Sequence, residues 1–384
     1  MLYNWTCVSK VDHKYERQAV KPYIPIKLPL NTTTWDWQAL VIKIGLANRN
    51  LAYFDGILSS IINPTLFLSP LETKEAVLSS KIEGTITTID EVLKFEANVK
   101  PDSISKQWDI QEVLNYRSAM RHAIEWINRG LPFNSTLICS IHKELMSGVR
   151  GANKQPGQIR KEQNWIGKFG ASMEQAIYIP PEPLGLSDHL LNLVGYIEKK
   201  DQEPILQTAI LHAQFELLHP FLDGNGRTGR ILIPLFLWHK KLIKSPVFYI
   251  SEYLEANRDQ YYANLQLISL KGEWEAWINF FLEAVATQAN LNAQKASQVL
   301  SLYQNMKTRV SNLSNSPRGI QILDSIFASP IIESTLFIKQ SGLNRQTGGR
   351  IITRLKEEGI LLTLQPAAGN RPEILEFKEL LDIL

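Results

Sequence analysis

Cysteine is scarce in this chain: two in 384 residues, Cys7 and Cys139, far apart and without metal or redox spacing. Their number excludes a disulfide framework and a cysteine-built metal centre, and points to a reduced, cytoplasmic setting. Charge of one sign is also lacking. With 41 Lys+Arg against 38 Asp+Glu the net charge is +3, which argues neither for a dedicated nucleic-acid binder nor for a membrane-surface protein. No long apolar run exists either. The longest, around Ile231 to Trp238, falls far short of the roughly 20 residues of a membrane span, and no secretory core lies near Met1. The remaining composition is that of an ordinary globular protein, long enough for two or three domains.

What the chain does have is a dense stretch near its middle, running from His219 through Pro220, Phe221, Leu222 and Asp223 to Arg230. Upstream, Ile205 to Leu218 sets Leu206, Ala209, Ile210, Ala213, Leu217 and Leu218 at helical spacing, and Pro220 helps to end that helix. Downstream, Arg227 to Trp238 reads as a second helix, apolar on all sides from Ile231 and therefore buried at the centre of a helical domain. Gly224, Asn225 and Gly226 form the loop that caps it. Glycines enter left-handed backbone cheaply, so these amides can curl into a nest at the positive helix end, with polyphosphate as the natural guest. Arg227 and Arg230 lie on the first helical turn, placed to fork onto phosphate oxygens. Asp223 would repel a bare phosphate, so a magnesium ion between them is the simplest reconciliation. His219 is the one titratable group in the motif able to act as a base near neutrality.

Rival readings fail on context. Gly224 to Gly229 satisfies G-x-G-x-x-G, but a helix precedes it where the dinucleotide fingerprint needs a strand. It also has P-loop glycine spacing, yet Arg230 and Ile231 stand where Lys and Ser/Thr are required. A plain glycine turn between packed helices leaves His219, Asp223 and Asn225 unexplained together.

His219 to Arg230 matches in full the signature H-x-F-x-D/E-G-N-G-R-x-x-R, and the chain from about Leu28 onward resembles the bacterial Fic-domain proteins with an N-terminal inhibitory helix and a C-terminal winged helix. The resemblance implies a protein adenylyltransferase, which moves AMP from ATP, with Mg2+, to a Ser, Thr or Tyr hydroxyl of a protein target, itself included. It implies His219 as base, Asp223 as metal ligand, and Gly224, Asn225, Gly226, Arg227, Thr228, Gly229 and Arg230 as the phosphate site. It also suggests a homodimer. Ser79 to Gly84 fits the family's inhibitory pattern S/T-x-x-x-E-G/N, which implies that Glu83 pairs with Arg230 and keeps the γ-phosphate out of its productive place. From the residues alone, Glu83 is either a last-turn carboxylate that opposes the helix dipole and needs an external cation, or a solvated glutamate before a glycine cap. Tyr261 resembles a nucleoside-contacting position whose ring could stack on adenine. Gly151 to Ile179 reads as a β-hairpin whose Ile177 and Tyr178 resemble the flap, an edge able to pair with an extended target peptide.

The rest of the chain reads as mostly α. Helices are expected at Trp35 to Ile61, from an N-cap at Ser69 to Glu83, from Lys106 to Arg129, from Ser135 to Leu145 and from Ser251 to Leu270, with another short one beginning at Thr87. A further helical stretch opening at Glu273 leads out through Gln304. Residues 1–35 read as an irregular arm, and Ser311 to Ser316 as a linker. His122, His142, His212 and His239 read as packing residues. The resulting division is 1–104, an N-terminal helical region with an inhibitory helix at 70–84; 105–304, a Fic-type helical bundle with a β-hairpin flap; and 312–384, a winged-helix domain. Arg345, Arg350, Arg354 and Lys356 make one helix of that last domain basic, as DNA reading requires. Residues 312–384 nevertheless balance eight basic against eight acidic side chains. A transcription regulator with a nucleotide-sensing Fic core is thus the second reading.

Overall fold

The computed structural model describes residues 21–60, 64–149, 153–168, 170, 172–199, 203–314 and 317–384. Cys7 and the first twenty residues of the expected arm lie outside them. The described residues form two compact units. One comprises 21–52, 78–86 and 111–289; the other comprises 53–77, 87–110 and 290–384.

The helices, in order, are α1 Trp37–Ser59, α2 Pro64–Ile82, α3 Ile89–Glu96, α4 Ile104–Asn128, α5 Ser135–Leu145, α6 Leu186–Ile197, α7 Pro204–Leu218, α8 Asn225–His239, α9 Ser251–Ala256, α10 Arg258–Lys271, α11 Trp274–Ser314, α12 Gly319–Ala328, α13 Ser334–Gln340, α14 Arg345–Glu357 and α15 Lys378–Leu381. Three short strands, β1 Ile331–Glu333, β2 Leu362–Gln365 and β3 Ile374–Glu376, complete the mostly helical architecture. Among the described residues no helix is long and apolar enough to cross a membrane.

The larger unit is built on α7 and α8. Glu203 caps α7 by accepting from the Leu206 amide at 2.8 Å, Pro204 opens it, and every residue but Pro204 and Glu216 is buried. α8 is buried without a break from Asn225 to Leu237. A helix apolar all round can only sit inside a bundle. Trp277 of α11 donates its indole N–H to the Ala209 carbonyl of α7 at 2.9 Å. The arm is described from residue 21: Tyr23 donates its amide to the Ile179 carbonyl at 2.9 Å, and Leu28 exchanges two hydrogen bonds with the Asn192 amide group of α6.

In the smaller unit the three strands pair antiparallel in the order β1-β3-β2. α3 belongs here. Thr88 and Glu91 form a reciprocal capping box at its start, and Leu93 and Ala97 pack with Ile331 and Ile374 of the sheet.

Several expected boundaries shift. α8 starts at Asn225 rather than Arg227, because Gly224 takes the N-cap. α2 begins at Pro64, where a proline is tolerated, and continues through Pro70. The helix expected over Ser251 to Leu270 breaks into α9 and α10 around Asn257. Ser311 to Ser314, expected in a linker, form the last turn of α11. The hairpin over Gly151 to Ile179 is reduced, among the described residues, to one antiparallel bridge, Ile166 to Tyr178. The prolines that follow, Pro180 and Pro181, lack the amide that a longer ladder needs.

Candidate active site

The motif sits at the junction of α7 and α8. His219 is the C-cap of α7, held in the left-handed region at φ 46°, with its amide on the Phe215 carbonyl at 3.1 Å. Arg160, 1% exposed, clamps the same turn. It donates from Nε to the His219 carbonyl at 2.9 Å, from Nη2 to the Pro181 carbonyl at 2.6 Å, and from its own amide to the Pro220 carbonyl at 2.9 Å. His219 is itself nearly buried, and its Nδ1 makes no hydrogen bond of normal geometry. Burial lowers the imidazole pKa to about 4, and the Arg160 guanidinium adds to this against the Glu216 carbonyl and Asp223. At neutral pH it is an uncharged base.

Gly224 turns the chain with φ 77°. It alone of the two expected loop glycines takes a left-handed conformation; Gly226 lies within α8. The amides of a helix's first turn have no intrahelical acceptor, so those of Asn225, Gly226 and Arg227 form the donor end of the helix. Asn225 does not face outward as expected. Its Oδ1 accepts from the Phe221 amide and its Nδ2 donates to the Phe221 carbonyl, both at 2.8 Å, so it fixes the loop. Thr228 likewise bonds back to the Gly224 carbonyl, at 2.9 Å.

The two arginines part company. Arg230 is fully buried: Nε donates to Ser79 Oγ at 2.9 Å, Nη2 to the Ser79 carbonyl at 2.9 Å and to Glu83 Oε1 at 2.5 Å. Its Nη1 has no hydrogen-bond partner. Burial opposes its charge, but Glu83, joined by Tyr261, Glu216 and Tyr262, holds its pKa above the usual value. Arg227, expected to share phosphate oxygens with it, instead donates to Glu112 Oε2 at 3.2 Å. Glu112 also accepts from Thr85 at 2.7 Å. The reason is angular: three residues along a helix still differ by about 60° in direction.

Glu83 reaches Arg230 because α2 ends in a Schellman-type turn. The Thr85 amide bonds the Ser80 carbonyl at 3.1 Å and the Gly84 amide bonds Lys81 at 2.9 Å, with Gly84 at φ 93°. The Glu83 carboxylate lies over Gly226, where an added Cβ would stand 1.9 Å from Oε1. Gly229 serves packing in the same way, with Glu216 Oε1 only 2.1 Å from such a Cβ.

A cleft with about 640 Å3 of empty space, its open mouth included, joins these parts. His219, Gly226, Arg230 and Glu83 line it beside Ile177 and Tyr178 of the flap and Tyr262 of α10. Tyr178 ties the expected flap to α7 by donating to the Leu217 carbonyl at 2.5 Å. Tyr261, expected at the nucleoside, is fully buried with its hydroxyl 2.9 Å from His212 Nε2 and is not among the residues that line the cleft; its neighbour Tyr262 is. Two adjacent helical positions point about 100° apart, which spacing alone could not resolve.

Sequence reasoning also passed over Glu216, which lines the cleft with Oε1 unpartnered. Burial raises its pKa to about 8, with Arg230 opposing and Glu83 assisting, so it carries a proton at neutrality. Its polarity at an otherwise apolar helical position was the available signal. Asp223 lies on the loop with Oδ1 on the Gly224 amide at 2.7 Å and 3.9 Å from Arg227 Nη2. The described residues hold no cluster of three metal-ligating side chains. The Asp223 carboxylate beside the amide end of α8 nevertheless has the chemistry that magnesium takes, one or two carboxylates with the rest of the shell from other oxygens.

Residues 41–125 match the N-terminal model of the Fic/DOC family, and residues 132–237 match the Fic/DOC family model itself. The chain is 29% identical over 165 residues to protein adenylyltransferase fic-1 of Caenorhabditis briggsae, a match covering 42% of this chain and 29% of that protein. It is 27% identical over 202 residues to a probable protein adenylyltransferase of Aquifex aeolicus, covering 50% and 56%. The chain thus spans well under two thirds of these curated relatives. In fold it is similar to a Fic family protein from Desulfovibrio desulfuricans G20, with TM-score 0.54 and 19% identity over 93% of this chain and 98% of that one. It is also similar to Fic-1 of C. elegans, with TM-score 0.52 and 20% identity over 70% and 79%. The chain carries two adjoining Fic/DOC family domains, the second of which, residues 132–237, spans the signature.

Proposed function

We propose that this protein is an adenylyltransferase that moves AMP from ATP to a hydroxyl side chain of a protein target and is restrained by its own α2. The observation that carries the reading is the cleft in which His219, the open end of α8 and Arg230 converge. In this reading the neutral imidazole of His219 takes the proton of a target Ser, Thr or Tyr hydroxyl. That oxygen attacks the α-phosphorus in line, and pyrophosphate leaves. The first-turn amides of α8 stabilise the charge that grows on the phosphate oxygens, and Arg230 holds the outer phosphates. Asp223 would hold magnesium, which when bound would offset the charge of the triphosphate. Tyr262, rather than Tyr261, flanks the nucleoside. The flap at Ile177 and Tyr178 presents the target backbone; the Ile179 carbonyl beyond them is already engaged by Tyr23.

Restraint follows from the 2.5 Å Glu83–Arg230 pair. While Glu83 occupies that guanidinium, ATP binds with its γ-phosphate displaced and its α-phosphorus out of line. The helix, strand, helix, helix, strand, strand order of residues 319–376 supports a winged helix. DNA reading is not favoured. Arg354 donates to the Leu313 carbonyl and Lys356 pairs with Glu373, so two of the four basic side chains of α14 are spent within the unit.

Incubation with ATP labelled on the α-phosphate should transfer label to protein, and His219→Ala should lower the rate roughly 10²- to 10⁴-fold. Equal labelling by His219→Ala would remove His219 from the chemistry.

A further inference from the structure

His142 of α5 stands outside the signature, yet it touches the phosphate loop and the start of the flap segment together. Its ring stacks on Phe221 at 3.8 Å between centroids with 1° between planes. Nδ1 lies 2.8 Å from the Gly157 amide, and Nε2 lies 2.8 Å from the Asp223 carbonyl. A backbone N–H can only donate, so Nδ1 must accept; a carbonyl can only accept, so Nε2 must carry the hydrogen. One tautomer satisfies both.

The consequence reaches the helix end through the peptide bond. The Asp223–Gly224 unit is planar and trans, so fixing the direction of its C=O fixes the opposite direction of its N–H. His142 therefore aims the Gly224 amide away from α5, toward the Asp223 carboxylate that it meets at 2.7 Å. Both glycines show how closely these two turns approach α5. An added Cβ at Gly224 would stand 3.3 Å from the His142 ring and 2.8 Å from Met146 Sδ. At Gly157, φ 77°, it would stand 3.0 Å from the Cys139 carbonyl and from the Lys143 side chain, both on α5. Three residues after Gly157 comes Arg160, the clamp on His219.

We propose that His142, through its Nε2-protonated tautomer, is a positioning residue that sets the peptide plane opening α8 and couples it to the Gly157 turn at the base of the flap. This rests on the nucleotide reading of the cleft given above. Two substitutions divide the bridge. Asparagine places an acceptor near the position of Nδ1 and lacks the donor reaching Asp223. Glutamine places a donor near Nε2 and lacks the acceptor for Gly157.

The test measures ATP affinity by calorimetry and the Gly157 amide by hydrogen exchange in wild type, His142→Asn and His142→Gln. His142→Asn should bind ATP about tenfold more weakly, the order of one lost hydrogen bond, with Gly157 still protected. His142→Gln should keep ATP affinity within about threefold, while Gly157 exchanges faster. Equal effects of the two variants on both readouts, or no effect of either, would overturn the proposal. Nitrogen NMR of wild-type protein labelled at histidine stands apart from any folding defect: His142 Nδ1 should be the unprotonated nitrogen, and a protonated Nδ1 would contradict the bridge. A wild type that binds no ATP would remove the nucleotide reading instead, leaving the exchange and tautomer results to judge the bridge itself.

Discussion

Glu83 Oε1 and Arg230 Nη2 lie 2.5 Å apart, with the carboxylate resting in the space that Gly226 leaves by having no side chain. Arg230 is buried, so its charge depends on this partner and on the two oxygens of Ser79. Removing one member of a buried pair typically costs about 3 to 5 kcal/mol. The Ser79 contacts persist, so Glu83→Gln should fall at or below the lower end. Urea unfolding without nucleotide should show that loss. Saturating ATP should then raise the melting temperature more in Glu83→Gln than in wild type, since phosphate supplies the missing anion.

The two adjacent tyrosines should separate binding from stability. Tyr261→Phe strips the hydroxyl from His212 Nε2 and should destabilise the fold by about 1 to 3 kcal/mol, with ATP affinity unchanged. Tyr262→Ala should weaken ATP binding, as calorimetry would show. Reversed results would return the nucleoside contact to Tyr261.

Much of this was legible beforehand. The α7–loop–α8 unit and the predominance of helix follow from apolar periodicity, a glycine stop and a long signature, whereas the Glu83–Arg230 pairing was implied only by the family resemblance of Ser79 to Gly84. What periodicity could not supply was direction. It did not show that Arg227 turns to Glu112, that Asn225 closes on Phe221, or that Tyr262 rather than Tyr261 meets the cleft, because each depends on a partner distant in sequence. The Ser/Asn composition of 311–314 suggested a linker, but local propensity yielded there to the continuation of α11. Arg160 and His142 carried no motif of their own, since they act on backbone carbonyls and amides that any sequence provides.

The pH dependence of the rate should report the burial of His219. Neutral imidazole is the active form, and its pKa stands near 4 rather than 6.5. In Glu83→Gly, kcat/KM should be level from about pH 5 to neutrality and fall only below that. A midpoint near 6.5 would mean that His219 is solvated in the free enzyme.

Stability should be greatest near pH 6.5. His142, His212 and His219 are held neutral, with pKa values lowered to about 4, 3 and 4. Each binds a proton more readily when unfolded, so each loses stability as pH drops below 6.5. Glu216, raised to about 8, keeps a proton that the unfolded chain gives up above about 4.5. It therefore loses stability as pH rises between those values. From 6.5 down to 4.5 three imidazoles oppose one carboxyl, so stability falls with falling pH; from 6.5 to 8 Glu216 alone makes it fall with rising pH. Unfolding of Glu216→Gln across pH 6.5 to 8 should lose that decline.

The restraint by α2 is tested most directly by the initial rate of AMP transfer at saturating ATP in wild type, Glu83→Gly and Glu83→Gly/His219→Ala, with pyrophosphate release followed alongside. Every 1.4 kcal/mol of inhibition removed gives about tenfold more productive complex. The rate should rise roughly ten- to a hundredfold in Glu83→Gly and fall to background in the double variant. An unchanged or lower rate in folded Glu83→Gly would contradict the account and leave Glu83 as no more than the C-cap of α2.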